Sequence, residues 1–237
     1  MTTSRDWPLD FDEAARARAA DRSLARVLAR PGGSEQWAEA LAEARALTAP
    51  AAAWNLVRVK EIRHDTVILE GGARMAGGPL AAVVAGAEEL AVAVCTAGPV
   101  ISERTREHQK GGRLLRGLLL DELGSWAVDS IRQQVCRRLA AEAGAAGLRV
   151  SVSLSPGESD WPLADQAVIF SLVDAGAIGV SLAPTLLMSP LKSLTLVLGR
   201  GSRPLGRESG DGCDFCVIRD RCAWRGRRGA HQRGEET

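Results

Sequence analysis

The chain has 237 residues, 46% hydrophobic and 25% charged, and its 30 basic and 29 acidic side chains leave a net charge of +1. That length can bury a substantial core, and so even a balance provides no global field to recruit nucleic acid or an anionic membrane. No apolar run reaches the ~20 residues that span a bilayer, and Arg5, Asp6 and Asp12 interrupt the apolar core a signal peptide needs. A cytoplasmic protein with no membrane partner is therefore expected. Of the five cysteines, three fall between Cys213 and Cys222. That crowding points to metal chemistry in a reducing compartment rather than to a disulfide framework.

Phe11, Ala15, Ala19, Leu24, Val27 and Leu28 recur at roughly helical spacing in a stretch running from Asp12 to Ala29, and Pro31-Gly32-Gly33 stops it. Ser34 is placed to cap a second helix that runs to Leu47 with Trp37, Leu41 and Ala44 on one face. Residues 1–50 thus read as a helical N-terminal arm, either a docking arm or a hairpin laid over a sheet. From Trp54 the apolar period shifts toward two, predicting strands over Asn55–Ile62 and Thr66–Leu69. Pro79 to Ala87 reads as a short helix, and Glu89–Thr96 as a central strand, apolar throughout after its first residue. The Thr96-Ala97-Gly98-Pro99 turn leads into a helix over Val100–His108.

A long helix is predicted from Arg113 to Ala143, with Leu115, Leu119, Trp126, Ile131, Val135 and Leu139 as its buried stripe and Leu118 beside it. Asp121, Glu122 and Asp129 on that helix read as a solvated acidic face. Leu148–Leu154 alternates as a strand, Leu163–Val173 is helix-like with Asp160 placed as its cap, and Ser193–Leu198 is a final strand. After Gly199, Gly, Arg, Ser and Pro predict an exposed connection, and Ala230–Thr237 reads as disordered. The fold class expected is α+β, with a mixed or antiparallel twisted sheet and a long central helix. It is divided into the arm, an α+β domain over 51–200 and a metal-binding tail over 201–237.

Phosphate-loop, dinucleotide-binding and nucleophile-elbow patterns are absent, which argues against nucleotide switches and serine hydrolases. A corrinoid carrier of the Asp-x-His-x-x-Gly type is also not indicated, because Arg106 stands where the aspartate would orient His108. The tail reads Cys213-Asp-Phe-Cys216-Val-Ile-Arg-Asp-Arg-Cys222. Its Cys-x2-Cys pair and the third thiol are suited to an iron–sulfur cluster or to zinc. Arg219, Arg221 and Arg225 favour the thiolates, and Cys136, Cys95, His231, solvent or a partner could supply the fourth ligand.

Two Pro/Gly-punctuated segments border apolar runs: Ser155-Pro156-Gly157-Glu158-Ser159-Asp160-Trp161-Pro162, and Met188-Ser189-Pro190-Leu191-Lys192-Ser193 after Ile178-Gly179-Val180-Ser181-Leu182. Their order resembles the activation (reactivation) domain of vitamin B12-dependent methionine synthase, particularly its free-standing form, which often ends in a cysteine cluster. The resemblance implies that Pro156, Gly157, Asp160, Trp161, Met188, Pro190, Ser193 and Asp121 line a corrinoid- or ligand-facing surface. It also implies S-adenosylmethionine as a ligand, held by an Arg-x-x-x-Gly-Tyr loop. Here Ser153 stands at the arginine and Glu158 at the tyrosine.

The preferred expectation is an activation subunit that docks on a separate corrinoid protein or cobalamin-dependent methyltransferase. Cobalamin would be carried by that partner, and a cluster on Cys213, Cys216 and Cys222 would support its reduction. S-adenosylmethionine-dependent reactivation is the alternative. A module of another class, stabilised by zinc and binding nucleic acid or an acidic protein through Arg225, Arg227, Arg228 and Arg233, is a second. Its weakness is a single interleaved aromatic, Trp224.

Overall fold

The computed structural model describes residues 1–19, 25, 26, 28–210 and 214. Its main sheet contains β1 (Thr2–Ser4), β2 (Ala51–Arg63), β3 (Thr66–Leu69), β4 (Arg74–Ala76), β5 (Glu89–Thr96), β6 (Arg149–Val150) and, late in the chain, β9 (Ser193–Gly201). The strand order is β4-β3-β2-β5-β9-β6, with β1 also on β2, and every pairing is antiparallel. Between β6 and β9 the chain forms a separate two-stranded ribbon of β7 (Ser181–Leu182) and β8 (Met188–Ser189). Among the described residues the helices with defined bounds are α1 (Phe11–Ala19), α2 (Gly33–Leu47), α3 (Leu80–Val83), α4 (Val100–Lys110), α5 (Leu114–Ala145) and α6 (Asp165–Leu172), with a 3-10 turn at Ala175–Ile178.

β5 lies in mid-sheet and separates two cores. Ala91, Ala93 and Cys95 face the helical side with Leu119, Leu123, Ile131 and Leu139 of α5, whereas Leu90, Val92 and Val94 face Val67, Met75, Leu80, Trp161 and Ile169. Small residues on the helical side let the 32-residue α5 lie close to the sheet, and larger ones fill the side covered by short elements. Leu118 departs from its expected place beside the buried stripe, being 55% exposed. It shares the exposed side of α5 with Leu114, one turn earlier.

The first 50 residues are built into the helical-side core. β1 pairs with β2, and Trp7, Phe11, Trp37, Ala40 and Ala44 are buried with α5. Trp7 meets Trp54 edge-on at 6.1 Å and Phe11 meets Trp126 at 5.2 Å. Glu43 of α2 accepts from His108 Nε2 of α4 (2.9 Å) and Arg116 Nε of α5 (2.8 Å), fastening three helices together. Ser34 does not cap α2: Gly32, at φ 75°, holds the N-cap position, and the Ser34 hydroxyl donates to Leu28 O at 3.4 Å.

Two more expectations are corrected and a third is refined. The 148–154 strand is regular only as β6, although its backbone continues beside β9 through Ser151 N to Gly199 O (2.9 Å) and a Leu154–Val197 bridge. The connection after Gly199 is exposed at most positions from Ser202 to Gly210, as expected, but Leu205, 8% exposed, anchors it and Val152 N donates to Arg207 O. Asp160, at φ 64°, does not cap α6; Ala164 is the N-cap residue and makes no side-chain cap bond. Among the described residues no helix is long and apolar enough to cross a membrane.

Candidate functional site

Two segments far apart in sequence are fastened to β9. The first is the 153–162 loop. Ser155 Oγ donates to Thr195 O of β9 at 2.6 Å, and the turn closes through Gly157 N to Trp161 O (2.8 Å) and Trp161 N to Glu158 O (2.9 Å). Trp161 is 1% exposed and its Nε1 donates to Asp165 Oδ2 at 2.7 Å, the same oxygen that accepts from Ala76 N. Gly78 must stay bare against the Trp161 main chain, since a Cβ there would lie 2.6 Å from the Trp161 backbone N. Trp161 and the buried Pro156 therefore anchor the loop from beneath, while Gly157 and Asp160 are exposed and Ser153 and Glu158 half-buried.

The second segment enters β9 at its start. Pro190 is buried and Met188 packs partly against the core beneath the loop. Ser193 Oγ lies 2.8 Å from Pro190 O and 2.9 Å from Thr96 Oγ1. Lys192 Nζ reaches α5, 2.7 Å from Asp121 Oδ1 and 2.9 Å from Ser125 Oγ. Gly124 makes room, because a Cβ there would sit 3.2 Å from Lys192 Cε. Asp121 is thus ion-paired across the site, neither a lone ligand contact nor a purely solvated acid.

Both segments face one flank of α5. Asp121, Ser125, Asp129, Arg132 and Cys136 follow one another at helical steps of three and four, making a polar stripe opposite β9 and the 150–155 edge. At its far end a cavity of about 240 Å³ is bounded by Arg132, Cys136, Arg137, Ser153, Glu158 and Glu208. Arg132 Nε donates to Asp129 Oδ1 (3.1 Å) and its Nη1 to Ser153 Oγ (3.2 Å). Burial works against the Arg132 charge, but the Asp129 and Glu158 carboxylates outweigh it and hold its pKa above the ordinary arginine value. The position that the resemblance aligns with a loop arginine is therefore met by a guanidinium from the helix. Arg132 is a functional candidate that the sequence reading did not single out, and Lys192 lies within the Met188–Ser193 motif without being named there as a site residue.

Cys213, Cys216 and Cys222 lie outside the described residues. Among the described residues no three His, Cys, Asp or Glu side chains gather to hold a metal ion. The two core cysteines differ as possible fourth ligands. Cys95 is buried among core residues, which pushes its thiol up to about 12 and disfavours the thiolate a metal needs. Cys136 lines the cavity beside Gly210; burial raises its pKa while the nearby Arg132 charge pulls the other way. His108, 5% exposed, is committed to Glu43.

No protein-family model and no curated protein matches the chain. Thirteen chains of solved structures do match. One is described as the MetH reactivation domain bound to AdoHcy, with 12% sequence identity, a TM-score of 0.59 and coverage of 96% of this chain and 86% of that one. The likeness takes in the N-terminal region, where the sequence motifs did not reach. The 237-residue chain has the fold of the MetH reactivation domain.

Proposed function

We propose that this chain is an activation module of a cobalamin-dependent methyltransferase system, docking on a separate corrinoid-carrying protein and helping return inactive cob(II)alamin to its methylated form. The observation that carries this reading is the convergence on β9 and α5. Ser153 and Lys192, from two loops with the resembling motifs, each meet a polar residue of the same helix flank. The chemistry balances when one electron from a donor reduces cob(II)alamin and the reduced cobalt takes the methyl group of S-adenosylmethionine. The C–S bond breaks with its electron pair left on sulfur, and S-adenosylhomocysteine leaves.

The docking face in this reading surrounds the Lys192–Asp121 pair. Leu114 (66%), Leu118 (55%), Leu187 (60%) and Leu191 (58%) are exposed leucines on α5 and on the segment leading to Lys192. Large apolar side chains left exposed on one surface suit a protein interface. Sedimentation of the chain with a cobalamin-loaded methyltransferase, followed in the visible absorption of the corrinoid, tests the docking. Co-sedimentation is expected, and independent migration at micromolar concentrations of both contradicts it.

Within this reading an S-adenosyl ligand is favoured by the Arg132 guanidinium at the cavity, and the solved neighbour with this fold was crystallised with AdoHcy. Electron relay through Cys213, Cys216 and Cys222 is the other part of the proposal, supported by their spacing. Anaerobic metal and sulfide analysis of wild type beside a triple Cys→Ser variant tests it. Iron with labile sulfide, lost in the variant, supports the relay, and zinc without sulfide contradicts it.

A further inference from the structure

We propose that Cys136 of α5 is the fourth thiolate of the metal site whose other ligands are Cys213, Cys216 and Cys222, so that the bound metal ties the C-terminal segment to the long helix. The inference rests on the preceding section only for a metal on those three cysteines. The choice of the fourth ligand follows from where the chain runs.

After β9 the chain returns to α5. Arg207 N donates to Val83 O at 3.1 Å and its carbonyl accepts from Val152 N at 2.9 Å, which fixes this backbone beside the 150–155 edge. Gly210, three residues on, borders the same cavity as Cys136. Arg207 Nη2 also holds the Asp214 carboxylate at 2.8 Å, and that carboxylate fills the space a Cβ on Gly210 would need. Asp214 is therefore held at Gly210, on the cavity wall. Cys213 adjoins Asp214 and Cys216 follows two residues after it. At ~3.3–3.6 Å per residue, both are tethered within about 7 Å of Asp214, backbone to backbone.

The donor set and its surroundings suit a metal. Four thiolates close a tetrahedral zinc site and equally ligate every iron of a four-iron cluster, whereas three leave one position open. Cys136 is half-buried and is not in a disulfide. Burial opposes its thiolate, and the Arg132 and Arg137 guanidiniums favour it. The same two guanidiniums border the cavity and offset the negative charge of a tetrathiolate site. Cys95 does not compete: it is 0% exposed within the helical-side core, with Sγ 4.0 Å from Val128 O. A metal would reach it only by parting α5 from β5.

The full chain is loaded anaerobically with zinc, and separately with ferrous iron and sulfide, and treated with iodoacetamide before and after a chelator removes the metal. Peptide mass spectrometry should find Cys136 protected in the loaded chain and labelled about tenfold faster or more once its thiol is released. Cys136→Ala should give up its metal at chelator concentrations ~10–100-fold lower than wild type, since even an outer-shell partner is worth that much. His231→Ala should behave as wild type. Labelling of Cys136 that ignores the metal, wild-type retention in Cys136→Ala, or metal loss in His231→Ala in its place overturns the assignment and leaves a metal on the three tail cysteines standing. If wild type takes up neither zinc nor iron, the assignment and the metal reading fall together.

Discussion

Arg132 Nη1 lies 3.2 Å from Ser153 Oγ, although the two residues are 21 positions apart. This contact joins the polar flank of α5 to the strand edge that leads into the 153–162 loop. Ser153 and Cys136 also line the same cavity, so helix, loop and cavity meet at one serine.

The two core thiols should differ in reactivity. Cys95 is fully buried, with its pKa pushed up to about 12, while Cys136 lines the cavity next to Arg132. Iodoacetamide labelling at mildly alkaline pH, read by peptide mass spectrometry, should modify Cys136 in the native metal-free protein and Cys95 only after denaturation. Native-state labelling of Cys95 ahead of Cys136 contradicts this packing.

Glu43 should make stability depend on acid. Burial tends to raise its pKa, but Arg116 and His108 outweigh that and hold it below the ordinary glutamate value of 4.5. A depressed folded-state pKa gives stabilisation that is present above the unfolded value and is lost as pH falls through the folded one. Glu43→Gln should cost about 1–3 kcal/mol at neutral pH by leaving Arg116 and His108 poorly paired. Urea-unfolding midpoints should show this deficit shrinking well below pH 4.5. A deficit that does not change with pH contradicts the role.

Trp161→Phe should destabilise by about 1–3 kcal/mol, because Asp165 loses one of two buried donors. Gly78→Ala should also destabilise, since the new Cβ would press on Trp161 N from a backbone at φ 56°. Thermal unfolding measures both, and unchanged transitions would show that the loop is not anchored from beneath.

Leu118→Glu and Leu191→Glu should stay within about 0.5 kcal/mol of wild type in stability, as exposed substitutions usually do. Both should weaken co-sedimentation with the corrinoid-loaded partner. If both variants dock as tightly as wild type, the interface lies elsewhere.

Much of the scaffold was legible in the sequence. β5 was read with its bounds because an apolar run of strand length is distinctive, and α5 was read to within two residues because it has no proline and a sustained apolar stripe. β4 was missed because three residues, Arg74–Ala76, show no period. Leu205 was missed because a single anchoring leucine among Gly, Pro and Arg has the composition of an open linker.

The site was less legible, since it is made by contacts between distant segments. Trp161 belongs to a ligand-like motif but serves the core. Arg132 resembles any solvated helical arginine until the strand edge at Ser153 is placed opposite it. One available signal was overlooked: Asp121, Ser125, Asp129, Arg132 and Cys136 share one flank of α5 at steps of three and four residues.

The measurement that most directly tests the account is a reactivation assay. A methyltransferase trapped as cob(II)alamin is mixed with S-adenosylmethionine and titanium(III) citrate as electron donor, with and without this chain, and the visible spectrum is followed anaerobically. The account predicts faster loss of cob(II)alamin and growth of methylcobalamin, in proportion to the added chain and slowed in Arg132→Met. Spectra that evolve at the same rate with and without the chain, under conditions where the two proteins co-sediment, would contradict it.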